Sequence, residues 1–191
     1  ENLILPRPIQ TADEAALLQN RYRNAARYVD SQLHRLITAL QHAGVYDDMA
    51  IVLTSDHGEG LAPGMQGHGA VSEVTRRVPL VFVLPGRAPG HSDRLISHRD
   101  ILPTLAEYLQ IPAPGEAMRG HASGVGAPRA VLTVAPSGRL GQLTTPEHVF
   151  DVGLVFRPDS VTVTPAADSG GRAPNLADWK PQLEDFLSGH N

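Results

Sequence analysis

The sequence contains no cysteine, no long hydrophobic run and no run of basic residues. The lack of cysteine excludes disulfides, thiolate metal ligands and a cysteine nucleophile within these 191 residues. The longest apolar run, residues 78–84, includes Pro79 and is far shorter than the roughly 20 residues that a membrane-spanning helix needs. The formal net charge is −4, with 16 basic and 20 acidic residues, so we expect no nucleic-acid partner.

What is present is the composition of an ordinary globular protein, with 41% hydrophobic and 19% charged residues. The first residue is Glu1 rather than Met. We therefore expect an upstream segment that this sequence does not include, in which a targeting sequence or a membrane anchor could lie.

The first half of the chain predicts a long amphipathic helix. Thr11 and Glu14 have the spacing of a capping box, in which each residue satisfies a free amide of the first turn. Apolar residues then recur every three or four positions from Leu18 to Leu40, which is the helical period. Gly44 follows as the expected stop, because glycine commonly ends a helix.

Two apolar segments, residues 49–54 and 78–84, show no alternation, which is typical of strands covered on both faces in a parallel sheet. A glycine-rich loop, residues 58–75, separates them. A further helix is predicted from Asp100, with Pro103 tolerated in its first turn. The order of these elements indicates an α/β class, with a parallel-type sheet core flanked by helices.

The chain changes character after Pro112, where glycine and proline become frequent. Short strands separated by turn residues follow, which predicts a small antiparallel appendage. The predicted strands are residues 130–134, 140–144, 149–156 and 160–164, followed by a closing helix over residues 178–187. We therefore divide the chain into an α/β part, residues 1–112, and an antiparallel β subdomain, residues 113–191.

Asp56 and His57 lie at the end of the first predicted strand. In α/β sheets, ligands bind beyond the carboxyl ends of the strands. A carboxylate and an imidazole form a partial ligand set for a divalent metal such as Zn or Mn. In the alternative reading, Asp56 caps the following segment and His57 is a polar neighbour. The spacing favours neither, because two ligands do not complete a site.

His68 lies between Gly67 and Gly69 in the glycine-rich loop. Flanking glycines allow close approach to a ligand, so His68 could donate to an anionic oxygen or protonate a leaving group. The alternative is an exposed loop histidine without a role. Glu59 could orient His57, as carboxylates do for metal-binding histidines, or it could simply face water.

Four stretches follow one another in an order and spacing typical of one family: "NRYRNAARYVDSQLHRLITALQHAGVYDDMAIVLTSDHGEG", "GHG", "RRVPLVFVLPG" and "ISHRDILPTLAEYLQI". Over residues 12–112 they resemble the C-terminal part of proteins of the sulfatase and alkaline phosphatase superfamily. Within that superfamily, "VLTVAPSGRLGQLTTPEHVFDVGLVF" and "KPQLEDFLSGHN" resemble the periplasmic domain of PbgA/YejM-type inner-membrane proteins.

The resemblance implies a mechanism in which an upstream Thr, Ser or formylglycine, activated by one or two metals, attacks a phosphoryl or sulfuryl centre and forms a covalent intermediate. It also implies that Asp56 and His57 are metal ligands and that His68 contacts an anion or leaving group. The imidazole favours Zn or Mn over Ca, which prefers oxygen ligands. The expected partner is a sulfate or phosphate ester, lipid-linked esters included. The expected location is the periplasm, with any inner-membrane anchor in the upstream segment.

The chain also departs from the family pattern. No nucleophile motif is present, and Thr54 and Ser55 are better explained by packing and backbone bonding. Residues 69–79 lack the lysine found in many sulfatases, which weighs against sulfate esters. His57 stands where many calcium-dependent arylsulfatases have asparagine, and this difference favours phosphoester, phosphonate or phosphoethanolamine chemistry.

Two functions therefore remain open. The first is the C-terminal portion of a metal-dependent hydrolase or transferase, which we expect to be inactive as a separate chain. The second is a non-catalytic, lipid-binding regulatory domain of an inner-membrane protein. A third reading, a cytoplasmic protein resembling phosphoglycerate mutases, fits less well because the additional His and Asp ligands of a two-metal site are not evident.

Overall fold

The computed structural model describes residues 7–112, 130–135, 140–145, 149–154 and 161–165. The chain forms two compact units, Glu1–Pro89 and Gly90–Asn191. The predicted division at residue 112 borders residues outside the described ranges and stays a prediction, and the predicted closing helix lies outside them as well. Among the described residues, no helix has both the length and the apolar composition needed to cross a bilayer.

The first unit begins with helix α1, Ala12–His42. The Thr11 hydroxyl accepts a hydrogen bond from the Glu14 N–H at 3.2 Å, which is the first half of the predicted capping box. The Glu14 carboxylate reaches back one residue further than predicted and accepts from the Gln10 N–H at 2.9 Å. It also forms an ion pair with Arg7 at 3.0 Å, which ties the lead-in segment to the first turn of the helix.

Helix α1 ends at the predicted glycine. Gly44 has a φ of +69°, a conformation that glycine adopts without steric cost. The N–H groups of Gly44 and Val45 donate to the carbonyls of Gln41 and Leu40 at 3.0 and 3.1 Å. These bonds satisfy carbonyl groups that the helix end would otherwise leave free.

The apolar face of α1 is buried only near its start. Ala15 and Leu18 form a small core with Ile9, and Leu61 packs against it. Further along the helix, Tyr22, Val29 and Leu36 are exposed, and Leu33, Ile37 and Leu40 are only half-buried. The predicted helix is confirmed, whereas full burial of its apolar face is confined to the first two turns.

The strands β1, Ile51–Thr54, and β2, Leu80–Val83, pair with each other. Their pairing is antiparallel, with Ile51 opposite Val83, so the predicted parallel arrangement is wrong for these two strands. Apolar composition reports burial rather than strand direction, and a parallel crossover usually contains a helix of several turns. Here the connection contains only the four-residue helix α2, Glu73–Arg76. The mixed helix-and-strand class is confirmed.

The second unit contains helix α3, Ile101–Leu109, which follows a 3₁₀ turn over His98–Asp100. Asp100 is buried, and its carboxylate accepts hydrogen bonds from the N–H and the hydroxyl of Ser97 at 2.7 and 3.1 Å. These bonds form a capping box at the start of the 3₁₀ turn, which leads directly into α3.

The second unit also contains the predicted antiparallel meander, whose strands pair in chain order: β3, Val131–Val134; β4, Leu140–Thr144; β5, Val149–Leu154; and β6, Val161–Pro165. Leu143 of β4 is its most buried side chain among those described. Glycine is required at position 141, because a Cβ there would lie 2.7 Å from the Thr133 carbonyl oxygen.

Candidate metal centre

The turn after β1 brings the Asp56 and His57 side chains together. The Asp56 carboxylate accepts a hydrogen bond from the His57 N–H at 2.9 Å, and the Ser55 hydroxyl donates to the His57 carbonyl at 2.8 Å. In the resulting bend, Asp56 Oδ2 lies 3.5 Å from His57 Nε2. Two ligand atoms that share a tetrahedral ion at bond lengths of about 2.1 Å lie about 3.4 Å apart. The spacing of these two atoms therefore fits a shared metal ion.

The charge of Asp56 and the orientation of His57 also suit a metal. The hydrogen bond from the His57 N–H lowers the pKa of Asp56 below its ordinary value, and this effect outweighs the opposing effect of desolvation. Asp56 is therefore a carboxylate at neutral pH. His57 Nδ1 lies 3.1 Å from the Gly58 carbonyl oxygen, so Nδ1 donates there and Nε2 is left facing Asp56.

A close backbone contact holds the turn in place. The Gly58 N–H donates to the Thr75 carbonyl at 2.9 Å, at the end of the segment that forms α2. A Cβ at Gly58 would lie 1.9 Å from the Val74 carbonyl oxygen, which no side chain could tolerate without a shift of the backbone. Position 58 therefore requires glycine because α2 packs directly against the turn.

A second contact brings His68 to the same place. The Gly60 N–H donates to the Gly67 carbonyl at 2.9 Å, and Gly67 has a φ of +56°. This bridge folds the loop back, so that the rings of His57 and His68 lie 4.2 Å apart with planes tilted by 34°. Of the three residues that the sequence singled out for the site, His57 thus lies beside both Asp56 and His68. Their roles as ligands and as an anion contact stay predictions.

Glu59 is the residue whose place the sequence did not predict correctly. It was considered as a partner of His57, whereas its Oε1 lies 2.8 Å from Nδ1 of His68. Its other oxygen, Oε2, is buried and has no hydrogen-bond partner among the described residues. An unpaired buried polar atom costs about 1–3 kcal/mol, so this oxygen is suited to a cation or a water molecule.

The four side chains offer two overlapping sets of ligand atoms. Asp56 and His57 form the pair at 3.5 Å. His57, Glu59 and His68 each offer an atom within 4.8 Å of the others. A mixed set of imidazole and carboxylate ligands matches the chemistry of Zn or Mn, so the residues present fit a divalent metal.

The hydroxyl groups of Thr54 and Ser55, which directly precede Asp56, bond to the backbone, and that of Ser55 also lies 3.4 Å from Asp56 Oδ1. The Thr54 hydroxyl donates to the Ser55 carbonyl at 3.3 Å, and the Ser55 hydroxyl donates to the His57 carbonyl at 2.8 Å. These contacts agree with the structural role expected for both residues and give no support to a nucleophile among them.

Comparison with known proteins defines the class. Residues 9–111, more than half of the chain, match the family model described as Sulfatase, and the chain belongs to the sulfatase family. The resemblance to the sulfatase and alkaline phosphatase superfamily is thereby confirmed.

Two similar proteins belong to different functional types, an inner membrane protein and a choline-sulfatase. The chain is 34% identical over 95 residues to the inner membrane protein YejM of Salmonella typhimurium, covering 47% of this chain and 15% of that protein. It is 36% identical over 85 residues to choline-sulfatase of Rhizobium meliloti, covering 44% and 17%. The chain therefore matches less than a fifth of the length of these curated relatives.

A solved structure shares the fold. The phosphonate monoester hydrolase from Silicibacter pomeroyi superposes with a TM-score of 0.61 at 21% sequence identity, covering 84% of this chain and 38% of the other. At this level of identity the similarity concerns the fold alone. It agrees with the prediction of a partial fold of the alkaline phosphatase type.

Proposed function

We propose that this domain contributes Asp56 and His57 to the divalent metal centre of a sulfatase-like enzyme. The enzyme would be a hydrolase or transferase that acts on sulfate or phosphate esters. The observation that carries the proposal is the 3.5 Å spacing of Asp56 Oδ2 and His57 Nε2, which matches two ligands of one ion. Membership of the sulfatase family supports the class of reaction. A relative named as a choline-sulfatase and a fold neighbour named as a phosphonate monoester hydrolase support the range of esters.

The donor set favours Zn or Mn over Ca, because an imidazole is a better ligand for the former two. A bound ion would supply Lewis-acid stabilisation of charge on the ester oxygens and activation of the nucleophile. Asp56, whose pKa is lowered, would contribute a negatively charged ligand, and the Gly58 carbonyl holds the Nδ1 side of His57, which would leave Nε2 available as the second ligand. His68 lies beside His57 and would meet an anionic oxygen of the substrate or protonate the leaving group.

We further propose that the nucleophile comes from outside these 191 residues. Thr54 and Ser55 bond to backbone carbonyls, and no cysteine is present. On this basis the chain binds metal but does not turn over an ester. Attack by the external residue through a covalent intermediate follows from the family resemblance rather than from the described contacts.

A second candidate is a non-catalytic, lipid-binding regulatory domain of an inner-membrane protein, located in the periplasm. The identity of 34% to the inner membrane protein YejM favours it. In this case a lipid headgroup would replace the ester substrate as the partner. Metal binding by Asp56 and His57 separates the two candidates, because a regulatory domain has no need of a metal ligand pair.

Calorimetric titration of the chain with Zn²⁺ or Mn²⁺ tests the proposal. Asp56→Asn should weaken binding by roughly 100-fold or more, because loss of a residue that merely supports a ligand already costs about 10–100-fold. Asp93→Asn is the matched control, since Asp93 is exposed like Asp56 and also contacts a histidine, His91 at 3.0 Å. Equal affinity in wild type and Asp56→Asn would refute the metal role. Asp56-dependent hydrolysis of an aryl phosphate by the chain alone would refute the external nucleophile.

A further inference from the structure

We propose that Glu59 is a positioning residue for His68: its carboxylate fixes the ring so that Nε2 is the nitrogen presented to the substrate. The inference deepens the proposed function, which supplies the role of His68 as a substrate contact. The pairing itself rests only on the contacts of Glu59 and His68, so it can be tested separately from metal binding.

The contact between the two side chains determines which ring nitrogen carries hydrogen. Glu59 Oε1 lies 2.8 Å from His68 Nδ1, a short distance typical of hydrogen bonds to charged groups. Because a carboxylate only accepts hydrogen bonds, Nδ1 must be the donor. Nε2, on the opposite side of the ring, is then the atom available to a substrate oxygen or a leaving group.

The backbone holds the two partners together. Glu59 directly precedes Gly60 and His68 directly follows Gly67, and these two glycines are joined by the bridge in which the Gly60 N–H donates to the Gly67 carbonyl at 2.9 Å. The Glu59 side chain is 14% exposed and therefore fixed, whereas His68 is 46% exposed and open to a ligand. Glu59 Oε2 lies close to the Gly67 backbone, since a Cβ there would come within 3.1 Å of it. A fixed acceptor thus orients a more exposed ring.

The alternative partner of Glu59, His57, already has another acceptor. His57 Nδ1 lies 3.1 Å from the Gly58 carbonyl oxygen. Each histidine of the site is therefore oriented by a different group, a backbone carbonyl for His57 and a carboxylate for His68. Removal of the Glu59 carboxylate should change the tautomer of His68 and leave that of His57 unchanged.

Long-range ¹H–¹⁵N spectra of the chain labelled in its histidines can read both tautomers. They should be recorded at about pH 8, above the ordinary histidine pKa of about 6.5, with His68→Gln used to assign the signal. The wild type should show His68 almost entirely as the Nδ1–H form. Glu59→Ala should reduce that form to a minority, while Glu59→Gln should retain it, because the amide oxygen still accepts a hydrogen bond. Glu73→Ala is the matched control, because it removes a different carboxylate, the partner of Arg77 at 2.8 Å.

Three results would overturn the inference: a His68 that is mainly Nε2–H in the wild type, a Glu59→Ala spectrum unchanged at His68, or a tautomer change at His57 instead. If Glu59→Ala does not fold, the wild type and Glu59→Gln spectra decide the question. Failure of the proposed function has a different signature. In that case Asp56→Asn would bind Zn²⁺ as tightly as the wild type, whatever the tautomer of His68.

Discussion

Helix α1 and the site loop, which we define as residues 55–77, belong to the same unit but are stabilised in different ways. The caps of α1 join near neighbours, such as Thr11 and Glu14, and every residue from position 20 to position 31 is exposed. The site loop is held by contacts between residues distant in sequence, including Gly58 with Thr75 and Gly60 with Gly67. Local contacts can be lost one at a time, whereas each non-local contact fixes a whole segment. We therefore expect single substitutions to cost more in the loop than in the helix.

Gly58→Ala should have the largest effect. The added Cβ would lie 1.9 Å from the Val74 carbonyl oxygen, so the turn and α2 must separate. Overpacking of this kind typically costs about 1–3 kcal/mol. We expect a loss of about 3 kcal/mol in the free energy of unfolding, because the Val74 carbonyl oxygen belongs to the backbone and cannot rotate away. Urea unfolding of the chain would measure it.

Gly69→Ala is the matched control for Gly58→Ala within the same loop. Its Cβ would lie 3.6 Å from the Gln66 carbonyl oxygen, an ordinary van der Waals distance. We expect a change within about 0.5 kcal/mol, as for most surface substitutions. Equal costs for the two variants would show that the contact of the turn with α2 contributes little.

Thr75→Val should have the next largest effect. The Thr75 hydroxyl is buried, accepts from the Ser72 N–H at 2.9 Å and donates to the Ala70 carbonyl at 2.9 Å. Valine has nearly the same shape but leaves both groups without this partner, which costs about 1–3 kcal/mol. Urea unfolding should show a loss of about 2 kcal/mol. Thr75→Ser keeps the hydroxyl and should lose less than half as much; a larger loss for serine than for valine would contradict the hydrogen-bond account.

The elements that depend on local pattern could be predicted from the sequence. The capping residue Thr11, the helical period and the stop at Gly44 each involve neighbours within one turn of the helix. The antiparallel meander followed in the same way from turn residues between short apolar segments. The direction of β2 relative to β1 could not be predicted, because apolar composition reports burial and not strand direction.

The residues of the candidate site could be predicted from the sequence, whereas the contacts between distant residues could not. Asp56, His57 and His68 were found from their residue types, their glycine neighbours and the family resemblance. The partner of Glu59 was not, because it lies nine residues away across a glycine bridge that has no periodic signature. The need for glycine at position 58 was also invisible, since it arises only when α2 packs against the turn.

Thr11→Ala tests how much a local contact at the start of α1 contributes to stability. The substitution removes the acceptor of the Glu14 N–H, which lies 3.2 Å from the Thr11 hydroxyl. Loss of an N-cap of this kind typically costs about 1 kcal/mol, less than we expect for either loop substitution. Urea unfolding would measure the loss, and Thr11→Ser should restore most of it. A loss as large as that of Gly58→Ala would contradict the distinction between local and non-local contacts.

The smallest effect should be the pH dependence that Glu14 confers. The Gln10 N–H lowers the pKa of Glu14 below its ordinary value of 4.5, and the hydrogen bond and charge of Arg7 lower it further. Because the pKa in the folded state is the lower one, the contribution of Glu14 is fully present above pH 4.5 and is lost as the pH falls through the folded-state pKa. The stability difference between wild type and Glu14→Gln should therefore be largest near neutral pH and shrink in acid, as measured by urea midpoints over that range. In an Arg7→Gln background the difference should decrease but persist, because the Gln10 N–H remains as a donor. If the stability difference between wild type and Glu14→Gln did not change with pH, Glu14 would stabilise the fold through packing rather than through its charge.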